Sequence, residues 1–384
     1  MNIVAFKMLV GDRAKYIGIV MGLTFASLLI TQQAGIFWGL MCRTYGFITD
    51  LGLPDIWVMD PKVQFIDDAK PMQDTELYRV RGIAGVEWAV PLYKGLIKAR
   101  LEAGNFQTCN VLGLDDATLV GGPPEMVIGK LDDLRKADAV IVDEVGANDK
   151  LAHLGPDGNK IPIGIGDTIE LNDHRAIVVG ICRVGRTFQS QPVVFTTYSR
   201  ATTFAPKERK LLTFVLVKAK AGVDQTVLCD RIRKTTSMAA YTKEQFKQLT
   251  FDYFIKYTGI PVNFGISIAL GFIVGTAIAG QTFYNFALDN LRHFGALKAM
   301  GAGNWMLLRM IVLQAMTVGF VGYGLGVGIA SFIGAVTAKS ELSFKLPWWL
   351  LIASAAAIAV ICVFSSILSI RKVIKLEPAI VFKS

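Results

Sequence analysis

The chain has 384 residues, of which 52% are hydrophobic, and a formal net charge of +9. Its positive mean hydropathy excludes an ordinary soluble protein over the whole length. The basic excess is not read as a nucleic-acid footprint, because it gathers at the ends of apolar stretches and so describes membrane topology.

In residues 1–15, Ile3, Phe6 and Val10 recur at helical spacing, with Lys7, Arg13 and Lys15 as the polar side. A short amphipathic helix on the cytoplasmic surface is expected there. Residues 16–42 carry no charge and form the first of four such stretches, the others being 260–288, 310–338 and 346–370. Each exceeds the roughly 20 apolar residues that cross about 30 Å of hydrocarbon. The reading is a membrane α-helical protein with four transmembrane helices in a 1+3 arrangement. The first stretch is too long for a signal-peptide core and is expected as an uncleaved anchor. Its Thr24, Ser27, Thr31, Gln32 and Gln33 are expected to face other helices, because polar groups in lipid need partners. Phe37 and Trp38 suit an outer interfacial belt.

Residues 43–259 are polar and mixed, enough for one large domain or two lobes. Strand patterns are expected at 56–59, 86–90, 96–101, 108–114, 139–142, 161–171, 176–182, 211–217 and 238–241. Helical patterns occupy 74–81 and 223–234. Short mixed elements of this kind predict an α+β domain. Gly121, Gly122, Pro123 and Pro124 mark a turn. Cys42, Cys109, Cys182 and Cys229 fall on the outer side and allow three disulfide pairings, although buried free thiols are the favoured reading. Phe246, Leu249, Tyr253 and Tyr257 give one apolar face to a helical stalk that enters the second span at Pro261.

Residues 289–309 hold a short loop with Asp289 early, Lys298 late and Gly301 as a C-cap. A helix over 287–300 is expected, with Leu291, Phe294 and Leu297 as an apolar stripe for a cytoplasmic partner. In the third span Gly322 with Gly326, and Gly324 with Gly328, match GxxxG. Packing within the chain and a contact between two copies both remain open. A loop at 339–345 and a tail at 371–384 complete the chain. Lys and Arg cluster before the first span, between the second and third, and after the fourth, which places both termini and the 289–309 loop in the cytoplasm.

No GxxxxGK[ST] occurs, so ATP is not expected to be hydrolysed by this chain. His153, His174 and His293 are scattered and suggest no metal site, and no GxSxG points to a hydrolase.

Arg292, Gly295, Lys298, Ala299, Gly301 and Ala302 follow the order R-x-x-G-x-x-[KR]-A-x-G-A. With Arg13 and Gly18 near the start, the strand motifs at 140–144 and 166–180, and the tail Leu376-Glu377-Pro378-Ala379, the chain resembles the MacB/FtsX-like ABC transporter permeases. The run from Asn290 to Ala299 resembles the DevC-type branch most, although His293-Phe294-Gly295 stands where many MacB-type loops read E-I-G. The resemblance implies a homodimer in a bacterial inner membrane, driven by separate ABC ATPase subunits that carry the ATP and Mg. It implies a coupling helix made of Asn290, Leu291, Arg292, His293, Phe294, Leu297 and Lys298. It also implies a periplasmic domain of two porter-like lobes and a β-rich insertion, on helical stalks, that meets an adaptor and an outer-membrane channel. Lipoprotein release or control of a cell-wall hydrolase is the alternative within the family. A membrane-anchored sensor is the alternative outside it, weakened by the short cytoplasmic parts.

Overall fold

Burial is unbroken along several strands in the central part of the chain and follows helical faces on either side of it. The computed structural model describes residues 6, 8, 9, 11, 13–101, 104–155, 159–206, 212–337 and 342–374. The expected interfacial positions Ile3 and Val10, the loop residues Lys339 and Glu341, and the tail motif Leu376-Glu377-Pro378-Ala379 lie outside the described residues. The chain divides into two compact units, one spanning Met41–Thr258 and the other formed by the segments before and after it.

In order, the elements are α1 (Arg13–Thr44), α2 (Gly46–Asp50), β1 (Ile56–Met59), α3 (Thr75–Arg81), β2 (Val86–Arg100), β3 (Phe106–Leu114) and β4 (Glu125–Ile128). A 3₁₀ turn at Leu131–Arg135 leads to β5 (Ala139–Asp143), α4 (Glu144–Asn148), β6 (His153–Leu154), β7 (Lys160–Ile161), β8 (Thr168–Leu171), β9 (His174–Arg183) and β10 (Val193–Thr197). Then follow α5 (Tyr198–Phe204), β11 (Phe214–Ala219), α6 (Gln225–Thr236), β12 (Ala239–Thr242), α7 (Lys243–Tyr257), α8 (Ile260–Asp289), α9 (Leu291–Ala299), α10 (Asn304–Val336) and α11 (Trp348–Ile374).

In the Met41–Thr258 unit the strands pair in the order β12-β1-β11-β2-β3-β10-β5-β9-β4. The long strand β2 serves two lobes. Its first half, up to Leu92, pairs with β11 in an antiparallel sheet that also holds β1 and β12. Its second half, from Tyr93, pairs with β3, and its end pairs with β8. Since β3 pairs β10, β10 pairs β5, β5 pairs β9 and β9 pairs β8, the second lobe closes into a ring.

Continuous apolar runs arise where both faces of a strand are covered. Trp57 and Met59 of β1 enter one core while Ile56 and Val58 enter another. In β5, Ala139 and Ile141 join the first core and Val140 and Val142 the ring interior. Trp57 is fully buried, 5.5 Å from the rings of both Phe214 and Phe246. Helix α6 starts because Asp224 accepts hydrogen bonds from the Thr226 and Val227 amides. Its Leu228, Cys229 and Ile232 cover the second core. Thr242 and Gln245 cap α7 reciprocally. Phe246, Thr250 and Phe254, four residues apart, bury the sheet-facing side of α7.

Asp143 ends β5 within the 140–144 stretch that carries part of the family resemblance. It accepts hydrogen bonds from the Gly146 amide (2.9 Å) and the Val193 amide (2.7 Å), and so ties α4 and β10 to β5. Burial raises its pKa despite those bonds. All five thiols are free, and all but Cys42 are buried. Burial, with the nearby Asp143 carboxylate adding to it, pushes the Cys109 thiol up to about 12, and burial pushes Cys229 up to about 11.

In the other unit, four helices among the described residues are long and apolar enough to cross a membrane: Arg13–Thr44, Ile260–Asp289, Asn304–Val336 and Trp348–Ile367. Pro261 lies in the first turn of α8, where its missing amide costs nothing. Ser27 and Thr31 of α1 are fully buried, and Gln32 and Gln33 are half-buried. The Ser27 hydroxyl donates to the Tyr323 carbonyl (3.2 Å), and the Tyr323 hydroxyl donates to the Leu351 carbonyl (2.7 Å). These bonds join α1, α10 and α11. Phe37 and Trp38 meet the rings of Phe264 and Trp349 at 5.6 and 4.9 Å.

The two glycine pairs of α10 part company. A Cβ at Gly322 would come within 2.9 Å of Leu23 Cβ, and one at Gly326 within 2.5 Å of Ser27 Cβ and 2.8 Å of the Leu28 amide. Gly324 and Gly328 are exposed and a Cβ on either would meet nothing within 4 Å. Gly326→Ala should therefore destabilise the helical unit by about 1–3 kcal/mol, while Gly328→Ala should be nearly neutral. Thermal unfolding of the purified chain in detergent checks the pair. Thiolates, not thiols, react with maleimides, and a raised pKa keeps a thiol protonated. Labelling of the native chain at neutral pH should therefore reach Cys42 first and spare Cys109 and Cys229 until the chain unfolds, as peptide mapping would show.

Candidate partner-coupling segment

The segment between α8 and α10 is built from three local devices. At its start, Asn290 breaks the helix, and its side-chain amide donates to the Phe286 carbonyl at 2.9 Å. Helix α8 therefore ends at Asp289, and the expected single helix over 287–300 is two helices separated at Asn290. Asp289 sits at a helix C-terminus, where a carboxylate opposes the dipole. The Lys15 ammonium, 2.6 Å away, offsets that charge. This corrects the expectation that Asp289 favours the start of the short helix.

At the other end, Gly301 adopts φ +95. The Gly301 amide donates to the Lys298 carbonyl and the Ala302 amide to the Leu297 carbonyl. That pair of bonds is a Schellman cap, which requires a left-handed residue and so favours glycine here.

Between these ends the apolar stripe turns inward. Phe294 is fully buried with Ala287, Leu307, Met310 and Ile311, and Leu291 and Leu297 pack around the same cluster. The expectation that Leu291, Phe294 and Leu297 fill a partner's groove is corrected by this packing. A phenyl ring lowers its free energy most where it leaves water, and α10 of the same chain supplies that site. Arg292, His293, Ala296, Ala299 and Met300 form the outward face, with Lys298 half-buried beside it. Met300 and Trp305 are 76% and 77% exposed, and Met306 is 45% exposed. The sequence reading passed over these three. Large apolar residues flanking a Gly-Ala-Gly turn, where no core needs them, were the available signal.

Elsewhere, His153 Nε2 lies 3.7 Å from Asp167 Oδ2, His174 sits beside the Phe204 ring, and His293 is on the exposed face of α9. The structure does not bring the three histidines together, and among the described residues no three metal-ligating side chains cluster.

The chain is similar at low identity to solved extracellular regions. One is the extracellular domain of the noncanonical ABC-type transporter YknZ of Gram-positive bacteria (11% identity, TM-score 0.34, 50% of this chain and 99% of that one). Another is the periplasmic region of MacB from Actinobacillus actinomycetemcomitans (16%, TM-score 0.37, 55% and 96%). Among curated proteins, an uncharacterized ABC transporter permease of Mycobacterium tuberculosis is 25% identical over 319 residues, covering 81% of this chain and 79% of that one. One of Methanocaldococcus jannaschii is 25% identical over 229 residues, covering 56% and 57%. Residues 17–235 match the model of the MacB-like periplasmic core domain, and residues 265–378 match that of the FtsX-like permease C-terminal domain. Four membrane-length helices, a mixed α+β unit between the first and second, and these two matches in order make the chain a member of the MacB/FtsX-like family of ABC transporter permeases.

Proposed function

We propose that this permease is the non-catalytic membrane subunit through which a separate ABC ATPase moves the Met41–Thr258 unit, in the mode of mechanotransmission. The ATPase, carrying ATP and Mg, docks on the outward face of α9 and its cap. Arg292, His293 and Lys298 supply cationic and polar contacts there, and Met300 and Trp305 supply the apolar anchors. Asn290, Leu291, Phe294 and Leu297 act from behind by holding that face rigid. The observation that carries this reading is the combination of a C-terminally capped, internally packed short helix with two large apolar side chains left more than three-quarters exposed beside it. Aromatic and methionine residues at the centre of a patch are the usual energetic anchors of an interface.

The basic clustering favours an orientation with both termini and α9 on the cytoplasmic side of a bacterial inner membrane. The Met41–Thr258 unit is then periplasmic, available to an adaptor and, through it, an outer-membrane channel for efflux. The exposed pair Gly324 and Gly328 supports a second copy of the chain on that face of α10, while Gly322 and Gly326 hold α1.

Met300→Asp combined with Trp305→Asp should lower ATPase co-purification and stimulated ATP hydrolysis in membranes by roughly tenfold or more. The same variant should keep the wild-type unfolding temperature. Full stimulation by that variant would overturn the docking face. Phe294→Ala should instead lower the unfolding temperature, because it removes a buried ring worth about 3–5 kcal/mol. For the second copy, oxidative cross-linking is expected through Gly324→Cys and not through Gly322→Cys, read as a dimer band on a non-reducing gel.

A further inference from the structure

The strand β2 loses its neighbour on one edge between its two lobes. Pairing with β11 stops at Leu92, and pairing with β8 starts at Ala99. On the opposite edge β3 continues throughout, with Leu96 facing Asn110. The Asn110 amide is spent on the Pro192 carbonyl (2.8 Å), across its other edge. Leu96 and Asn110 are thus a non-hydrogen-bonded pair, and the Leu96 amide and carbonyl point into the gap. The gap's ends are closed. The Lys94 amide donates to the Thr213 hydroxyl (3.2 Å), and the Lys98 carbonyl accepts from the Asn172 amide (3.0 Å). Between them Leu96 presents one donor and one acceptor with no partner among the described residues.

A cavity of about 580 Å³ opens at this edge, lined by Lys94, Gly95 and Leu96 of the strand and by Phe65, Phe188 and Phe254. The Phe188 and Phe254 rings lie 4.8 Å apart, and Phe65 and Phe254 5.5 Å apart. The charges at its rim are neutralised in pairs: Lys94, 5% exposed, holds Asp67, and Lys70 holds Asp68 at 2.7 Å. The volume lies within the range of ligand pockets and is too small for the docking face of a folded partner.

We infer that this cavity binds a short, uncharged peptide in extended conformation, which adds to the Leu96 edge of β2 as a strand and places an apolar side chain against Phe65, Phe188 and Phe254. An exposed edge offers backbone hydrogen bonds to any extended chain, and alternate side chains of that chain then meet the wall. The site lies within the Met41–Thr258 unit and does not rest on the ATPase-docking face.

The test is calorimetric binding of acetyl-Thr-Phe-Thr-Phe-Thr-amide to the full chain in nanodiscs. Two N-methylated versions accompany it, one blocked at both Phe amides and one blocked at the central Thr amide. A strand bonded through one edge uses alternate amides only. One version should therefore bind about fivefold or more weakly than the parent, and the other should bind within about twofold of it. Equal binding by all three, equal loss by both versions, or no binding of the parent at about 1 mM would overturn the inference. Leu96→Pro supplies an independent check. Proline is tolerated where a strand amide is unpaired, so the variant should unfold at the wild-type temperature and lose the peptide. Unfolding of that variant would show the amide to be engaged within the chain and would equally overturn the inference.

Discussion

The contact between α1 and α10 is the constraint on which the helical unit depends. In hydrocarbon, apolar side chains gain nothing by leaving lipid for one another, so association rests on close backbone packing and on polar groups that find partners. Gly322 and Gly326 provide the first by leaving no side chain between α10 and residues 23–28 of α1. Ser27 provides the second by donating to the Tyr323 carbonyl, and Tyr323 carries the link onward to α11. Nearly three hundred residues separate Ser27 from Tyr323 in the chain. Helix α1 is therefore held among the three later helices by local chemistry rather than by connectivity.

The same economy governs the segment after α8. A nine-residue helix is too short to persist by its own hydrogen bonds. Burial of Phe294, the Asn290 break and the left-handed Gly301 cap replace the missing length with tertiary support. Rigidity of this kind is what a force-bearing contact needs, since a loop that yields absorbs motion instead of passing it on.

Much of this architecture was legible in the sequence, for identifiable reasons. The spans show because lipid forbids charge over their full length. Strands such as β5 and β9 show because burial on both faces demands unbroken Val and Ile runs. Strand β10, which joins β3 to β5 at the centre of the ring, escaped notice, as did α5 directly after it. Its Val193-Val194-Phe195-Thr196-Thr197 run is strand-like, but no turn residue separates it from the helix that follows. The stripe at Leu291, Phe294 and Leu297 was visible as a stripe, yet periodicity reports only that a face is apolar and not what covers it. Only the placement of Leu307, Met310 and Ile311 decides that. The opening beside Leu96 had no sequence signal, because it arises where two non-adjacent strands stop short of each other.

The length of β2 has a mechanical consequence. Fifteen residues run without interruption from the antiparallel sheet into the closed ring. Because one backbone is shared, the two lobes possess no hinge of their own. A pull directed along that strand loads its hydrogen bonds to β11 on one half and to β3 on the other in shear, so that within each set many must yield at once instead of one after another. Tension along the axis of that longest strand thus passes from lobe to lobe through one unbroken backbone.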